Sequence, residues 1–245
     1  MEIDKLLLDY KNGMISIEEV KKKISLAWIE TTNRHIIDIN RNNRIGIPEI
    51  IYAEKKPLDT VIEIADKMLE EHTTVLVSRS SYNSELSDYY RNKCGVICGE
   101  RVIVLGKTPD PSFKILVISG GASDRPVVEE AALTLKALGA EPLVFEDRGI
   151  AHPSRVLGCI KEGIEQNCLA CIIVAGMEAS LATFAGSLLP MPVIGVPTSI
   201  GYGYKSGETA LISMLASCTP NLAVVNVDGG IRAAIISYMI GVKRC

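Results

Sequence analysis

The 245-residue chain predicts an α/β protein: a doubly wound parallel sheet of the flavodoxin or Rossmann kind, helices on both faces, preceded by a smaller α+β domain. Three observations carry this. Compact apolar runs at 115–119, 142–145, 170–175, 192–196 and 223–227 lack polar alternation, as strands buried on both faces require. Amphipathic helical patterns lie between and after them, at 125–138, 154–166, 178–188, 206–216 and 231–239. Strict alternation of β with α is how crossover helices build a parallel sheet. GKTPDPSF at 106–113, with two prolines, a glycine and small polar residues, reads as a linker between domains at 1–112 and 113–245.

The elements follow in chain order. Residues 1–34 look helical: IDKLLLDY, then Ser16 as an N-cap for IEEVKKKISLAW. RNNRIGIPEIIYAEKKP, residues 41–57, is turn-rich at its start and β-like over 50–52. Helical spacing over 58–71 runs through Val61, Ile62, Ala65 and Leu69, and short β runs follow at 74–78 and 102–105. Ligands on doubly wound sheets sit beyond the carboxyl ends of the strands. The loops to read are therefore 119–124, 146–152, 176–178, 197–203 and 228–230, which carry small, glycine-bearing or acidic residues.

Composition removes several function classes. A net charge of −3, with no basic run, argues against nucleic acid or a membrane surface as partner. MEIDKLLLDYKNG is too charged for a signal peptide, and Glu178 interrupts the longest apolar run. Seven cysteines without an export signal read as reduced thiols of a cytoplasmic protein. Cys168 and Cys171 have knuckle spacing, but NCLACIIVAG reads as a strand entry, so buried thiols are expected there rather than a metal. A hydrophobic share of 47% fits strands buried on both faces or a sizeable oligomer interface.

The loops suggest an anion seat. Ser119, Gly120, Gly121, Ser123 and Asp124 follow a strand and open a helix, where backbone N–H groups and the helix dipole favour negative charge. Neither a dinucleotide G-x-G-x-x-G nor a triphosphate P-loop is present. Asp124 reads equally as a helix N-cap or as a ligand for a sugar hydroxyl, metal or proton. PTSIGYGYKSG, residues 197–207, adds Thr198, Ser199, Gly201 and Gly203 as contacts at a second strand end. Glu178, in VAGMEASL beside Gly176 and Met177, is either a dipole partner or a base. Cys218, in LASCTPNL, is a core cysteine or a nucleophile; His152 is the histidine that falls in a site loop.

Together these stretches resemble one family. SGGASDRPVVEEA is similar to the S-G-x-S-D-x-P turn of the PurE class of aminoimidazole ribonucleotide carboxylases and mutases. VAGMEASLATFAGSLLPMPVIGVPTSIGYG, then MLASC and VVNVDGG, resemble the PurE-related LarB family more closely, as does RIGIPEIIYAEKKP, which has no PurE counterpart. LarB starts the synthesis of the nickel-pincer nucleotide cofactor. The resemblance implies a carboxylase and hydrolase of nicotinic acid adenine dinucleotide, adding CO2 (or bicarbonate) at C5 of the pyridinium ring and releasing AMP. By position it makes Cys218 the nucleophile, Glu178 and Asp124 acid–base groups, and the 119–124 turn with Lys56 substrate contacts. The electron-poor ring explains the need for sulfur: addition of a thiolate turns C5 into an enamine carbon. Glu178 then removes the C5 proton, the more readily if burial raises its pKa. No tightly bound cofactor is implied, although Mg²⁺ beside Asp124 or Asp228 would ease anhydride hydrolysis. A homo-oligomer, of the octameric PurE kind, would complete its sites from neighbouring subunits.

Two segments depart from the family. DRGIAHPSR stands where D-x-G-V-A-G-x-H-R is usual, so His152 comes two positions early. NVDGGIRAA puts Arg232 where glycine is usual. They leave room for two further readings: a PurE-type carboxyl shift on an aminoimidazole ribonucleotide, and a non-catalytic nucleotide-binding protein.

Overall fold

The computed structural model describes residues 3–26, 30–31, 35–39, 41–201 and 204–244. The first half runs α1 (Ile3–Lys11), α2 (Ile17–Leu26), β1 (Glu30–Thr31), β2 (Ile36–Ile37), α3 (Arg41–Ile45), β3 (Ile50–Tyr52), α4 (Leu58–Glu71), β4 (Thr74–Ser78), α5 (Asn83–Tyr90), β5 (Val96–Cys98) and β6 (Val102–Gly106). The second half alternates: β7 (Lys114–Ser119), a 3₁₀ turn (Ala122–Asp124), α6 (Arg125–Leu138), β8 (Glu141–Phe145), α7 (Ser154–Glu165), β9 (Cys171–Ala175), α8 (Ser180–Gly186), β10 (Val193–Pro197), α9 (Gly207–Leu215), β11 (Leu222–Val224) and α10 (Gly230–Val242).

Ser16 does cap α2, in a reciprocal box: Glu19 N–H donates to Ser16 Oγ at 3.1 Å, and Ser16 N–H donates to Glu19 Oε2 at 2.9 Å. The helical expectation over 1–34 fails at Glu30 and Thr31. Glu30 and Thr31 instead pair antiparallel with Ile37 and Ile36, a ladder that local helical spacing cannot reveal. Residues 27–29 and 32–34 lie outside the described residues.

The five strands of the second half are all parallel, in the order β11-β10-β9-β7-β8. The chain reverses its direction of travel across the sheet between β7 and β9, so a crevice opens at their carboxyl ends. Alternate residues of each strand feed two cores. Leu116, Ile118, Cys171 and Ile173 pack with Val156 and Ile160 of α7, Leu181 and Ala185 of α8 and Met214 of α9. Ile115, Val117, Ile172 and Val174 face Val127, Ala131 and Leu135 of α6 and Ala233 and Ala234 of α10. This is the three-layer doubly wound arrangement the alternation predicts.

The first half forms a second, mixed sheet of order β3-β4-β6-β5. One face buries Val75, Val77, Ile103 and Leu105 under α4 and α5. The other places Leu76, Val102 and Val104 against Leu133 and Ala137 of α6 and Ile231 of α10. Helix α6 therefore carries two apolar stripes and serves both sheets. The linker at 106–113 divides the chain, but the two sheets share one helical layer. Fully burying a side chain such as Leu133 contributes about 1.5–3 kcal/mol, so this layer bonds the halves firmly.

Candidate active site

A cavity of about 550 Å³ opens at the carboxyl ends of β7 and β9. Gly120, Gly121, Ser123 and Asp124 form one wall, and Gly149, Ile150 and Ala151 another. Gly176 through Leu181 and the pair Ile200–Gly201 close the remainder. Among the described residues, its charged lining residues are Asp124 and Glu178, and no lysine, arginine or histidine lines it.

The glycines are set by close approach. A Cβ on Gly149 would stand 2.9 Å from the Gly120 carbonyl oxygen, and one on Gly176 only 2.4 Å from that of Ile200. Ser119 lies beneath the turn, fully buried, and does not line the cavity. Its hydroxyl accepts the Asp147 N–H at 3.2 Å and donates to the Gly121 carbonyl at 3.3 Å, so it braces two loops. That corrects its assignment as a direct substrate contact.

Asp124 stands at the N-cap position of α6, as one of its two readings expects, but its side chain caps the preceding 3₁₀ turn rather than α6. Its carboxylate accepts the Gly121 N–H at 2.9 Å and the Thr198 Oγ–H at 2.8 Å, locking the turn to the 197–201 loop. At 3% exposure, burial pushes this carboxyl above the usual range, partly opposed by those two bonds and reinforced by nearby Asp228. Thr198 itself is buried and outside the lining. Exposed Ser199 turns away, donating from N and Oγ to Asp228 at 2.9 and 2.6 Å. The backbone of Gly201 lines the cavity; Gly203 lies outside the described residues.

Glu178 projects from a tight turn between Met177 and Ala179, both left-handed at φ 52 and 51°. For non-glycine residues that conformation persists only where the surroundings impose it. Ser180 Oγ donates to Glu178 Oε1 at 2.6 Å, and Ser213 of α9 holds the Glu178 carbonyl. The condition that burial raise this carboxyl is not met: Glu178 is exposed, and the Ser180 hydroxyl holds it below the usual range.

Three sequence candidates fall elsewhere in the single chain. Cys218 is exposed and outside the lining. Its neighbours pin it beside α8: Ser217 Oγ and Thr183 Oγ1 lie 2.8 Å apart, and Thr219 Oγ1 donates to the Thr183 carbonyl at 3.2 Å. Thr183 is one turn, about 4.5 Å of rise, from the cavity-lining Ser180. His152 is exposed and turns Nδ1 to Ser154 Oγ at 2.7 Å; residues 149–151 before it line the cavity and His152 does not. Lys56 lies after β3, bonded to the Tyr52 carbonyl and 5.9 Å over the Tyr52 ring.

The proposed magnesium ligands do not fit a metal. Both oxygens of Asp124 accept protein donors, and Asp228 is held by Ser199 on each oxygen with Arg101 Nη1 3.9 Å from Oδ2. No group of three metal-ligating side chains occurs among the described residues. Cys168 and Cys171 are buried thiols; burial pushes Cys168 up to about 11 and Cys171 well above the usual thiol range.

The lining residues absent from the sequence candidates are Gly149, Ile150, Ala151, Ser180, Ala175, Ala179, Leu181 and Ile200. The first three stand in a loop already singled out, and Ser180 stands two positions after Glu178, within reach of its carboxylate. Leu181 and Ile200 carry no chemical signal.

Residues 114–243 match the family model of AIR carboxylase, and residues 29–85 that of the LarB/PurE-like N-terminal domain. An uncharacterised protein of Methanocaldococcus jannaschii is 36% identical over 96% of this chain and 95% of its own. The N5-carboxyaminoimidazole ribonucleotide mutase of Brucella melitensis is 30% identical over 53% of this chain and 80% of its own. That of Pyrococcus horikoshii is 32% identical over 52% and 72%. The crystal structure of a PurE2 variant from Treponema denticola aligns with a TM-score of 0.41 at 21% identity, over 55% of this chain and 92% of that one.

Proposed function

The chain belongs to the LarB- and PurE-related AIR carboxylase family, and from that membership we propose that it carboxylates and hydrolyses nicotinic acid adenine dinucleotide. What carries this reading over a ribonucleotide mutase is the presence in one chain of both modules. The mutase relatives match only about half of it, 53% and 52%, whereas the N-terminal module is of the LarB/PurE-like kind.

The charge of the cavity supports the substrate. A wall that, among the described residues, bears Asp124 and Glu178 and no cationic side chain suits a cationic pyridinium ring. The phosphates then rest on the backbone N–H groups of Ala122 and Ser123, the N–H groups of Gly120, Gly121 and Asp124 being bonded within the protein, at the amino end of α6. A thiolate adds to C4 or C6 of the ring, making C5 nucleophilic. C5 bonds to CO2, the Glu178 carboxylate takes the C5 proton, and sulfur leaves with its electron pair as aromaticity returns. Water then splits the phosphoanhydride, giving AMP and pyridinium-3,5-biscarboxylate mononucleotide for nickel-pincer cofactor synthesis.

Cys218 is the thiolate in this reading. Since it lies outside its own chain's cavity, a neighbouring subunit of a homo-oligomer presents it to the ring. The test is mass spectrometry after incubation with nicotinic acid adenine dinucleotide and bicarbonate, for the wild type, Cys218→Ala and Glu178→Gln. AMP and the biscarboxylated mononucleotide from wild type alone support the reading. Activity regained by mixing the two inactive variants supports supply of the thiol by a neighbour. The same products from Cys218→Ala would exclude it as nucleophile, and binding without turnover would favour a nucleotide-binding protein.

A further inference from the structure

Behind the cavity, where the two sheets meet across α6 and α10, four charges from both halves of the chain converge. Arg79 follows β4 in the left-handed region, φ 50°, which an arginine keeps only where its surroundings over-determine it. Its N–H donates to the Arg101 carbonyl at 2.6 Å. Its Nη2 donates to the Asp228 carbonyl at 2.8 Å, and Nε lies 3.8 Å from Glu130 Oε1. Arg101 Nη1 stands 3.9 Å from Asp228 Oδ2.

Glu130 anchors the cluster. It is 1% exposed, and its carboxylate faces the Ile231 N–H at the amino end of α10 without closing a full hydrogen bond. A Cβ on Gly230 would come within 2.9 Å of Oε2 and 2.6 Å of the Val127 carbonyl, so the turn accepts only glycine there. A buried carboxylate with so few donors depends on its arginine for charge compensation, which fixes where Arg79 must lie.

From this cluster an unbroken path leads to the cavity wall. Asp228, also left-handed at φ 55°, donates its N–H to the Pro197 carbonyl at 2.8 Å and accepts from Ser199 twice. The next residue back, Thr198, bonds Asp124, and Asp124 accepts the Gly121 N–H. The hydrogen bonds of this path, from Asp228 to Gly121, run between 2.6 and 2.9 Å. Among the described residues, Asp228 is the partner of both the Ser199 N–H and its hydroxyl hydrogen.

We propose that Arg79, seconded by Arg101, is a positioning residue: the N-terminal module sets the 197–201 loop and the 120–124 turn of the cavity through Asp228. This assigns the first half of the chain a part in shaping the site. It rests on the proposed reading only in taking the cavity as the working site.

Amide hydrogen exchange on the full-length protein tests it without any substrate, so the result is independent of whether the carboxylase reaction is correct. In Arg79→Met, the Ser199 and Gly121 amides are expected to exchange at least about tenfold faster, a loss of about 1.4 kcal/mol of protection, while β9 and β10 keep theirs. Exchange that is unchanged at Ser199 and Gly121, or faster throughout the sheet alike, would overturn the proposal. Should Arg79→Met not fold, Arg101→Gln, at a partly exposed position, is read in the same way. Ser199→Ala cuts the same path further on. The double variant Arg79→Met/Ser199→Ala is therefore expected to expose Gly121 no more than the stronger single variant, and additive effects would equally overturn it.

Discussion

Thr198 Oγ1 donates to Asp124 Oδ1 at 2.8 Å across 74 residues of sequence, and both side chains are buried. This bond closes the glycine-rich turn after β7 onto the loop after β10. It opposes the burial that raises the Asp124 carboxyl.

Thr198→Val keeps the shape and removes the donor. Asp124 is then expected to titrate at higher pH than in the wild type, because a bond that favours its charged form is lost. Stability at neutral pH should fall by about 1–3 kcal/mol, the usual cost of leaving a buried polar group short of a partner. Carboxyl NMR titration and urea unfolding measure the two effects. An unmoved Asp124 titration would show that the bond does not govern the site.

Burial raises the Glu130 carboxyl, with Arg79 and Arg101 pulling against it. A raised folded-state value means a contribution fully present below the ordinary carboxyl range and lost as pH rises through the folded value. Glu130→Gln should therefore gain on the wild type as pH is raised from about 4 towards neutrality, by at most about 1.4 kcal/mol per pH unit for one proton. Denaturant unfolding at several pH values reads this directly; a difference independent of pH would count against it.

The Ser180 hydroxyl is the largest influence holding the Glu178 carboxyl low. Ser180→Ala should move the acid limb of the pH–rate profile to higher pH, while the rate on the plateau changes less than in Glu178→Gln. An acid limb that stays in place would assign it to another group.

Gly176→Ala would put a Cβ 2.4 Å from the Ile200 carbonyl and 2.8 Å from Thr198 Oγ1. Both atoms belong to the loop that walls the cavity, so the loop must yield. A loss of about 1–3 kcal/mol in stability and weaker nucleotide binding are expected, measured by thermal unfolding and calorimetry. Normal binding with lowered stability would mean that the wall moves without consequence for the ligand.

Leu133→Ala empties the contact between α6 and the N-terminal sheet, where Leu133 packs with Leu76, Val102 and Val104. A cost of about 2–4 kcal/mol is expected. Exchange should rise in β4 and β6 before it rises in β9. Uniform loosening would show that the two sheets unfold as one unit.

The strands and helices of the second half were legible because every one of them is a periodic run. Helix α6 matches its predicted span, Arg125–Leu138, and β11 stops three residues early, at Val224. The first half was less legible. The strand at Val96–Cys98 has no apolar alternation, and its place in the sheet is given by β6, its antiparallel partner. The pairing of β1 with β2 likewise exists only once the chain has turned back on itself.

The candidate site divides in the same way. Which loops form it follows from sequence alone, since strand order in a doubly wound sheet puts the carboxyl ends of neighbouring strands together. Whether a given side chain in those loops faces the cavity does not, because orientation depends on contacts between residues distant in the chain. Ser119, Thr198 and Ser199 bond protein atoms behind the wall, whereas Leu181 and Ile200, which carry no chemical signal, form part of it. The low carboxyl of Glu178 and the raised ones of Asp124 and Glu130 are likewise set by a neighbouring hydroxyl, by burial and by two arginines from the other sheet. Sequence determined the sheet, its helices and the family; only the folded chain decided which acids are pushed up and which held low, which hydroxyls are spent on structure, and that Cys218 stands outside its own cavity. Local periodicity is a property of neighbouring residues, whereas burial and hydrogen bonding are properties of whatever the fold brings alongside.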